Sequence, residues 1–236
     1  MLGEAAGRFA QWVFGGACFL CRGAAKSGLL CEACNADLPR LDRALCPRCA
    51  LASPGGAICG RCLAHPPHFD AAIAALAYRF PADVLVHAFK FRGELALAPF
   101  FADLLAERIG PQRRVDCVVP VPIAAERLRD RGYNQALEIA RHVARAAGAR
   151  LAPELCERVR NTPAQTDLPW AERARNVRGA FRASRALAGV TVAVLDDVMT
   201  TGATLDEIAA TLKRAGAAHV AGWVVARTFP PDEGVA

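Results

Sequence analysis

Apolar positions fall into two alternating patterns over most of the chain. Four short, nearly continuous apolar runs have the length and composition of buried strands: "AAIAALAY" (Ala71 to Tyr78), "VDCVVPVP" (Val115 to Pro122), "VTVAVLDD" (Val190 to Asp197) and "HVAGWVVART" (His219 to Thr228). Between them lie stretches with apolar residues three and four apart: "ADVLVHAFKF" (Ala82 to Phe91), "LALAPFFADLLAERI" (Leu95 to Ile109), "NQALEIARHVARAAG" (Asn134 to Gly148) and "TLDEIAATLKRAG" (Thr204 to Gly216). This spacing predicts helices. Asn134 opens the third and Gly148 closes it, while Thr204 or a neighbour caps the fourth. Strands alternating with helices predict an α/β fold, a parallel sheet flanked by helices. Ligands of such sheets sit beyond the carboxyl ends of the strands.

The first quarter of the chain lacks both patterns. It opens on "MLGEAAGRFAQWVFGGACFLC", with Glu4 early and no basic start before a long apolar centre. This predicts a short amphipathic helix rather than a signal peptide. Cysteines then arrive in four pairs: Cys18 and Cys21, Cys31 and Cys34, Cys46 and Cys49, Cys59 and Cys62. Shifting the first four by 28 positions lands on the second four, so the segment is an internal repeat. Pro-Pro in "AHPPHFD" (Ala64 to Asp70) marks a boundary, giving residues 1–66 to the cysteine region and 67–236 to the sheet.

Each copy reads as a zinc ribbon, with two Cys-x-x-Cys knuckles closing one tetrahedral site. Two intervening residues let both thiolates of a knuckle reach one ion at about 2.3 Å. Four thiolates leave no position for water, so such zinc is structural. The segment is too short and too rich in Gly and Pro for a core of its own, and metal binding would supply its folding free energy. The spacing is compatible with one or two zinc ions, and with sequential or cross-braced pairing. Cys117 and Cys156 stand apart, Cys117 as a small core residue in a strand.

Composition adds bounds. The chain has 236 residues, is 53% hydrophobic and has a mean hydropathy of +0.19, as a globular protein does. No apolar run reaches the roughly 20 residues of a membrane span, and the expected location is the cytoplasm. The formal charge is +6, carried by 29 Lys and Arg against 23 acids. From Arg127 to Arg185 there are 13 Arg, no Lys and 6 acids, a net +7 that exceeds the whole chain's +6. Arg presents a planar fork suited to phosphate.

The richest stretch is "VAVLDDVMTTGATL" (Val192 to Leu205). An apolar strand meets two carboxylates, then a Thr/Gly loop, then a helix. Loop hydroxyls and helix N–H groups suit a phosphate, and Gly202 admits close backbone approach. The carboxylates suit a diol. Phosphate beside diol describes a ribose 5-phosphate.

The stretch resembles the ribose-phosphate fingerprint of type I phosphoribosyltransferases. The resemblance implies that Asp196 and Asp197 hold the ribose hydroxyls of phosphoribosyl pyrophosphate. It gives the 5-phosphate to Met199, Thr200, Thr201, Gly202, Ala203 and Thr204. "PVPIAAERLRDRGYNQA" (Pro120 to Ala136) stands where such enzymes place a pyrophosphate loop, with Arg127, Arg129, Arg131 and Gly132 as candidates. "RVRNTPAQTDLPWAERARNVRGAF" (Arg158 to Phe181) resembles their catalytic loop, with Arg160, Gln165, Arg173 and Asn176 as candidates. Lys90 in "AFKFRGE" is the weakest candidate and reads equally as an exposed helix lysine. In order and spacing these motifs resemble the ComF family, which joins a Cys-rich ribbon region to a phosphoribosyltransferase domain. The resemblance implies Mg²⁺ bound with the substrate and transfer of phosphoribose to an acceptor. Members are linked to DNA uptake and natural transformation, although close relatives occur in bacteria not known to be transformable. A second class of function stays open: a non-catalytic module binding single-stranded DNA through its basic face, with Trp12, Tyr133 and Trp170 as candidate stacking residues.

Overall fold

The computed structural model describes residues 16–26, 28–41, 44–110, 114–160 and 176–230. The predicted N-terminal helix and Trp12, Gln165, Trp170 and Arg173 lie outside the described residues.

The cysteine repeat is a structural repeat. In the first copy, β1 (Gly16–Ala17) pairs antiparallel with β2 (Ala24–Ala25), and a short helix α1 (Glu32–Ala36) follows. In the second copy, Leu45 bridges Ala52 as Ala17 pairs Ala24, and α2 (Gly60–Ala64) follows. The knuckle bonds repeat as well: Cys18 N donates to Gly23 O at 2.7 Å, and Cys46 N to Leu51 O at 2.8 Å. The residue after the first knuckle of each copy, Arg22 and Ala50, takes the left-handed conformation at φ 63 and 55. Side chains seldom adopt it, and its recurrence shows that one backbone template serves both copies.

The sheet contains five parallel strands in the order β3 (Ala71–Ala77), β9 (His219–Arg227), β8 (Thr191–Met199), β4 (Cys117–Pro120), β5 (Arg150–Leu151). Between β3 and β4 run α3 (Ala82–Phe91) and α4 (Leu97–Ile109). Between β4 and β5 run α5 (Ala125–Arg131) and α6 (Gln135–Ala147), and α7 (Ala203–Arg214) joins β8 to β9. Asn134 caps α6 by accepting from Ala136 N and Leu137 N, and Gly148 ends it in the left-handed conformation. A separate antiparallel pair, β6 (Cys156–Arg158) with β7 (Phe181–Ala183), brackets the intervening residues.

Each sheet face has its own core. Leu195, Trp223 and Val225 bury one face under α3, α4 and α6. Val192, Val194 and Val224 bury the other under α7. The first ribbon joins the first core through Cys18, Ala25, Leu30 and Leu38. The second joins the other through Cys46, Cys49, Leu51 and Cys62. Residues 39–41 between them lie along the open edge of β3, where Leu41 N donates to Ala75 O and Ala77 N to Pro39 O. That covers an edge which would otherwise offer unpaired amides.

Two sequence boundaries move. The acids were expected at the tip of a strand ending at Asp197, yet β8 continues to Met199 because Val198 and Met199 pair with Ala226 and Arg227. The helix expected from Thr204 begins one residue earlier, at Ala203, with the near neighbour Gly202 as its cap.

Candidate functional site

The topology selects the place. From β4 the chain crosses to β5 on one side, and from β8 it crosses to β9 on the other. The order reverses between β4 and β8, and their following helices α6 and α7 pack on opposite faces. A crevice therefore opens at the carboxyl ends of these two strands. Asp196 and Asp197 lie near that end of β8, the loop 200–202 leaves it there, and Val121 to Ala124 leave β4.

Asp197 is only 8% exposed. Its partner is Lys90, whose Nζ lies 2.9 Å from Asp197 Oδ1. Burial pulls Lys90 down, but the Asp197 carboxylate outweighs this and the net shift is upward. Asp196 accepts from Asp197 N at 2.9 Å. Its burial, and then the neighbouring Asp197 charge, push it up to about 7 against a partial opposing pull from Lys90. One acid is thus held as an ion pair while the other sits poised between charged and neutral forms. Such splitting of adjacent carboxylates is typical of functional sites.

The loop after β8 is tight. Gly202 has φ +86, and a Cβ there would stand 2.7 Å from Met199 Cε. Thr201 Oγ1 accepts from Ala203 N at 3.1 Å, beginning α7. Helix N–H groups with no intrahelical acceptor point out of this end, and the macrodipole favours an anion there. Gly222 lets α7 sit low on the sheet, since a Cβ would meet Leu205 Cδ2 at 2.1 Å.

A pocket of about 280 Å³ is lined by Lys90, Phe91, Gly93, Arg127, Asp130, Arg131 and Tyr133. Arg127 and Arg131 meet Lys90 here because α5 is a short helix that presents both on one side, and Gly132 ends it in the left-handed conformation at φ 80. The expected pyrophosphate loop is thus a helix and its C-terminal turn, with Arg129 exposed and outside the lining. Arg131 also covers the Phe91 ring at 5.1 Å. Tyr133 donates to Phe89 O and packs on the Phe89 ring, so it is anchored rather than free to stack. Arg160 is exposed at the neck formed by β6 and β7, where Nη1 donates to Arg178 O at 2.7 Å, and it is not part of the pocket lining. Asn176 stands where the described chain resumes. Lys90 corrects its sequence reading, since it is largely buried and paired, not exposed.

The cysteines assemble sequentially: Cys18, Cys21, Cys31 and Cys34 in one group, Cys46, Cys49, Cys59 and Cys62 in the other. Within each group the sulfurs lie within 4.8 Å of one another. Cys21 and Cys31 are 3.7 Å apart, and Cys49 and Cys59 3.6 Å. A tetrahedron with 2.3 Å metal–sulfur bonds has edges of roughly 3.8 Å. Acidity agrees. Backbone N–H groups outweigh burial and draw Cys18 down to about 6 and Cys46 to about 7. Hydrogen bonds from Cys21 and Cys31 push Cys34 up to about 12, and burial pushes Cys62 up. Four thiolates do not share such a volume without a cation, so both groups fit structural zinc. Cys117 and Cys156 are buried, and burial pushes Cys156 up to about 12, which makes it an inert thiol.

A family described as "Double zinc ribbon domain" matches residues 9–63. The chain is 35% identical over 223 residues to the DNA utilization protein YhgH of Salmonella typhi, covering 91% of this chain and 98% of that protein. It is 30% identical over 159 residues to Competence protein F of Haemophilus influenzae, covering 64% of this chain and 69% of that one. The chain belongs to the ComF family. Among solved structures this ComF-family chain is similar to a glutamine phosphoribosylpyrophosphate amidotransferase from B. subtilis. Identity there is 22%, over 55% of this chain and 26% of that chain, with a TM-score of 0.39. Among the described residues, no helix is long and apolar enough to cross a membrane.

Two residues escaped the sequence reading altogether. Arg227, near the end of β9, is 1% exposed and reaches the loop after β8. Arg61, inside the last Cys-x-x-Cys, donates to Thr201 O at 3.4 Å. A charged residue within an apolar strand was the available signal for the first, and nothing in the sequence marked the second.

Proposed function

We propose that this ComF-family protein binds phosphoribosyl pyrophosphate with Mg²⁺ at the crevice between β4 and β8 and transfers phosphoribose to an acceptor. The observation that carries the reading is the Asp196–Asp197 pair. It stands at the topological switch, with Lys90 and the Arg127–Arg131 pocket on one hand and the Gly202 loop on the other.

The roles follow from the chemistry. Asp196 and Asp197 accept hydrogen bonds from the ribose hydroxyls. Met199 to Thr204 hold the 5-phosphate through loop donors and the start of α7. Both ends of the sugar are then fixed, and positioning of this kind contributes roughly 7–11 kcal/mol. Loss of pyrophosphate from C1 builds positive charge on the ribose ring, and no protein nucleophile is required. Lys90, Arg127 and Arg131 offset charge on the departing pyrophosphate. Carboxylates and phosphate oxygens are the hard donors that Mg²⁺ prefers, and beside Asp196 and Asp197 it would offset the negative charge of the bound pyrophosphate. The expected catalytic Arg160 keeps that role only as a proposal, together with Arg173.

Calorimetric titration of phosphoribosyl pyrophosphate with Mg²⁺ tests this. Wild type should bind, Asp197→Asn should bind at least tenfold more weakly, and acceptors should then be screened by pyrophosphate release. No binding to zinc-loaded, folded wild type removes the substrate assignment.

A second reading has support of its own. Phe91 is 60% exposed, with Arg131 over its ring and His87 4.8 Å away, beside a cationic pocket. Relatives are named for DNA utilization and competence. Single-stranded DNA would stack on such a surface, with a steep salt dependence. The two readings are compatible, since a DNA-linked role could still use the phosphoribosyl site.

A further inference from the structure

The second ribbon lies against the loop that the proposed function assigns to the 5-phosphate, and three contacts join them. The strongest is Arg227. Its side chain is buried, with Nε donating to Cys49 O at 2.9 Å. Nη1 donates to Met199 O at 3.0 Å, to Thr228 O at 2.7 Å and to Thr200 O. Cys49 is the second cysteine of a knuckle, and Met199 and Thr200 begin the phosphate loop. One guanidinium therefore holds the backbone of a metal knuckle and the backbone of the loop together. A buried cation is costly unless its donors are satisfied, so neither carbonyl group can move away without leaving donors of Arg227 exposed to that cost.

The second contact is Arg61, which lies between Cys59 and Cys62 and bonds Thr201 O. The third is the segment leaving the ribbon. His68 donates from its backbone N to Asp206 Oδ1 at 2.6 Å, and its Nδ1 lies 3.1 Å from Asp206 Oδ2 in the first turn of α7. Phe69 fills the space beside Gly202, about as far from a notional Cβ as ordinary van der Waals contact at 3.8 Å. One side of the loop is thus met by Arg61 of the ribbon, by His68 and Phe69 of the segment leaving it, and by Arg227 of β9.

We propose that the second ribbon is a wall of the sugar-phosphate site: Arg227 is the positioning residue that fixes the loop to the metal knuckle, and Arg61 is an additional ligand of the bound phosphate. Arg has five donors in a planar fork. Its bond to Thr201 O orients that fork at the rim of the loop and leaves donors for an anion. The Arg61 assignment rests on the sugar-phosphate reading. The Arg227 assignment does not, because it concerns only the shape of the loop. The first ribbon, on the opposite face, has no part in it.

The test uses the full zinc-loaded chain and two readouts. Hydrogen–deuterium exchange of residues 198–205 is compared among wild type, Arg227→Lys, Cys59→Ser and Cys31→Ser. Arg227→Lys and Cys59→Ser should speed exchange of this loop by about tenfold, the scale of one lost charged hydrogen bond, while residues 192–195 stay protected. Cys31→Ser should leave the loop at the wild-type rate. Unchanged exchange in Arg227→Lys, or equal acceleration in Cys31→Ser, overturns the coupling. Arg227→Lys keeps the charge and decides the matter even where a cysteine variant fails to fold. The second readout is titration with phosphoribosyl pyrophosphate and Mg²⁺. Arg61→Ala should bind about tenfold more weakly while speeding loop exchange less than Arg227→Lys does, since it removes a single 3.4 Å bond to Thr201 O, and equal affinity overturns its role as a ligand. Failure of wild type to bind removes the substrate and Arg61 together, while the exchange comparison still decides the coupling.

Discussion

The two ribbons share spacing, backbone bonds and a left-handed residue after the first knuckle, yet their surroundings differ. Of the first quartet only Cys18 is buried, and Cys21 is exposed. In the second, Cys46, Cys49 and Cys62 are all buried and only Cys59 is intermediate. The first copy rests its apolar side on the core shared by α3 and α4. The second is set into the core that carries the β8 loop and α7. Duplication supplied two equal metal clips, and the sheet gave them different work because its two faces are different. One clip stabilises a face, and the other also shapes a site.

The difference can be broken or sharpened in steps. Stripping zinc with a chelator should have the largest effect. The exposed first site should empty before the second, followed by a dye that reports free metal. Binding of phosphoribosyl pyrophosphate should persist after the first equivalent leaves and disappear with the second, since such sites supply their own folding free energy. Loss of binding with the first equivalent would erase the distinction. Next is Lys90→Met. Lys90 comes from the first ribbon's face but pairs with Asp197 at 2.9 Å, so it links the faces. Removing it leaves a buried carboxylate uncompensated, and thermal unfolding should report a loss of about 3–5 kcal/mol. Leu30→Ala and Leu51→Ala form the third pair, one in each ribbon, at 6% and 3% exposure. Each should cost about 2–4 kcal/mol of stability. Only Leu51→Ala should also weaken substrate binding, as calorimetry would show.

The smallest effect is on pH. Asp196 is raised from an ordinary 3.8 to about 7, so the folded, unligated protein holds a proton there that the unfolded chain releases. Its contribution to stability is full below 3.8 and is lost as pH rises toward about 7. Binding of a diol by the ionised carboxylate runs the opposite way and should strengthen across pH 7. Asp196→Asn should flatten both profiles, which denaturation and calorimetry at a series of pH values would measure.

Much of this architecture was legible because it rests on local rules. The helix at Ala82 to Phe91 has the bounds its periodicity predicts, and the cysteine spacing identified both quartets. Pairing order was not legible, since sequential and cross-braced ribbons use the same residues. The β8 boundary moved because its last residues are held by β9, a partner invisible to a local window. Lys90 looked like a surface lysine because its meaning lies in Asp197, far along the chain. Arg227 and Arg61 depend in the same way on carbonyl groups of distant segments, and a carbonyl leaves no mark in a sequence.

The strand order carries one more consequence, for synthesis. β9 is the last of the described strands to be made, yet it sits between β3 and β8. A chain emerging from the ribosome has its first large strand complete at Ala77 but waits until Arg227 for that strand's partner. Pro39, Leu41 and Pro47 bond β3 during that interval only along its outer edge. Contacts so far apart in sequence make for slow closure of the sheet. Arg227 arrives with the same strand, so the loop after β8 is locked at the moment the sheet closes, and the proposed site cannot take its shape in a nascent chain until β9 is in place.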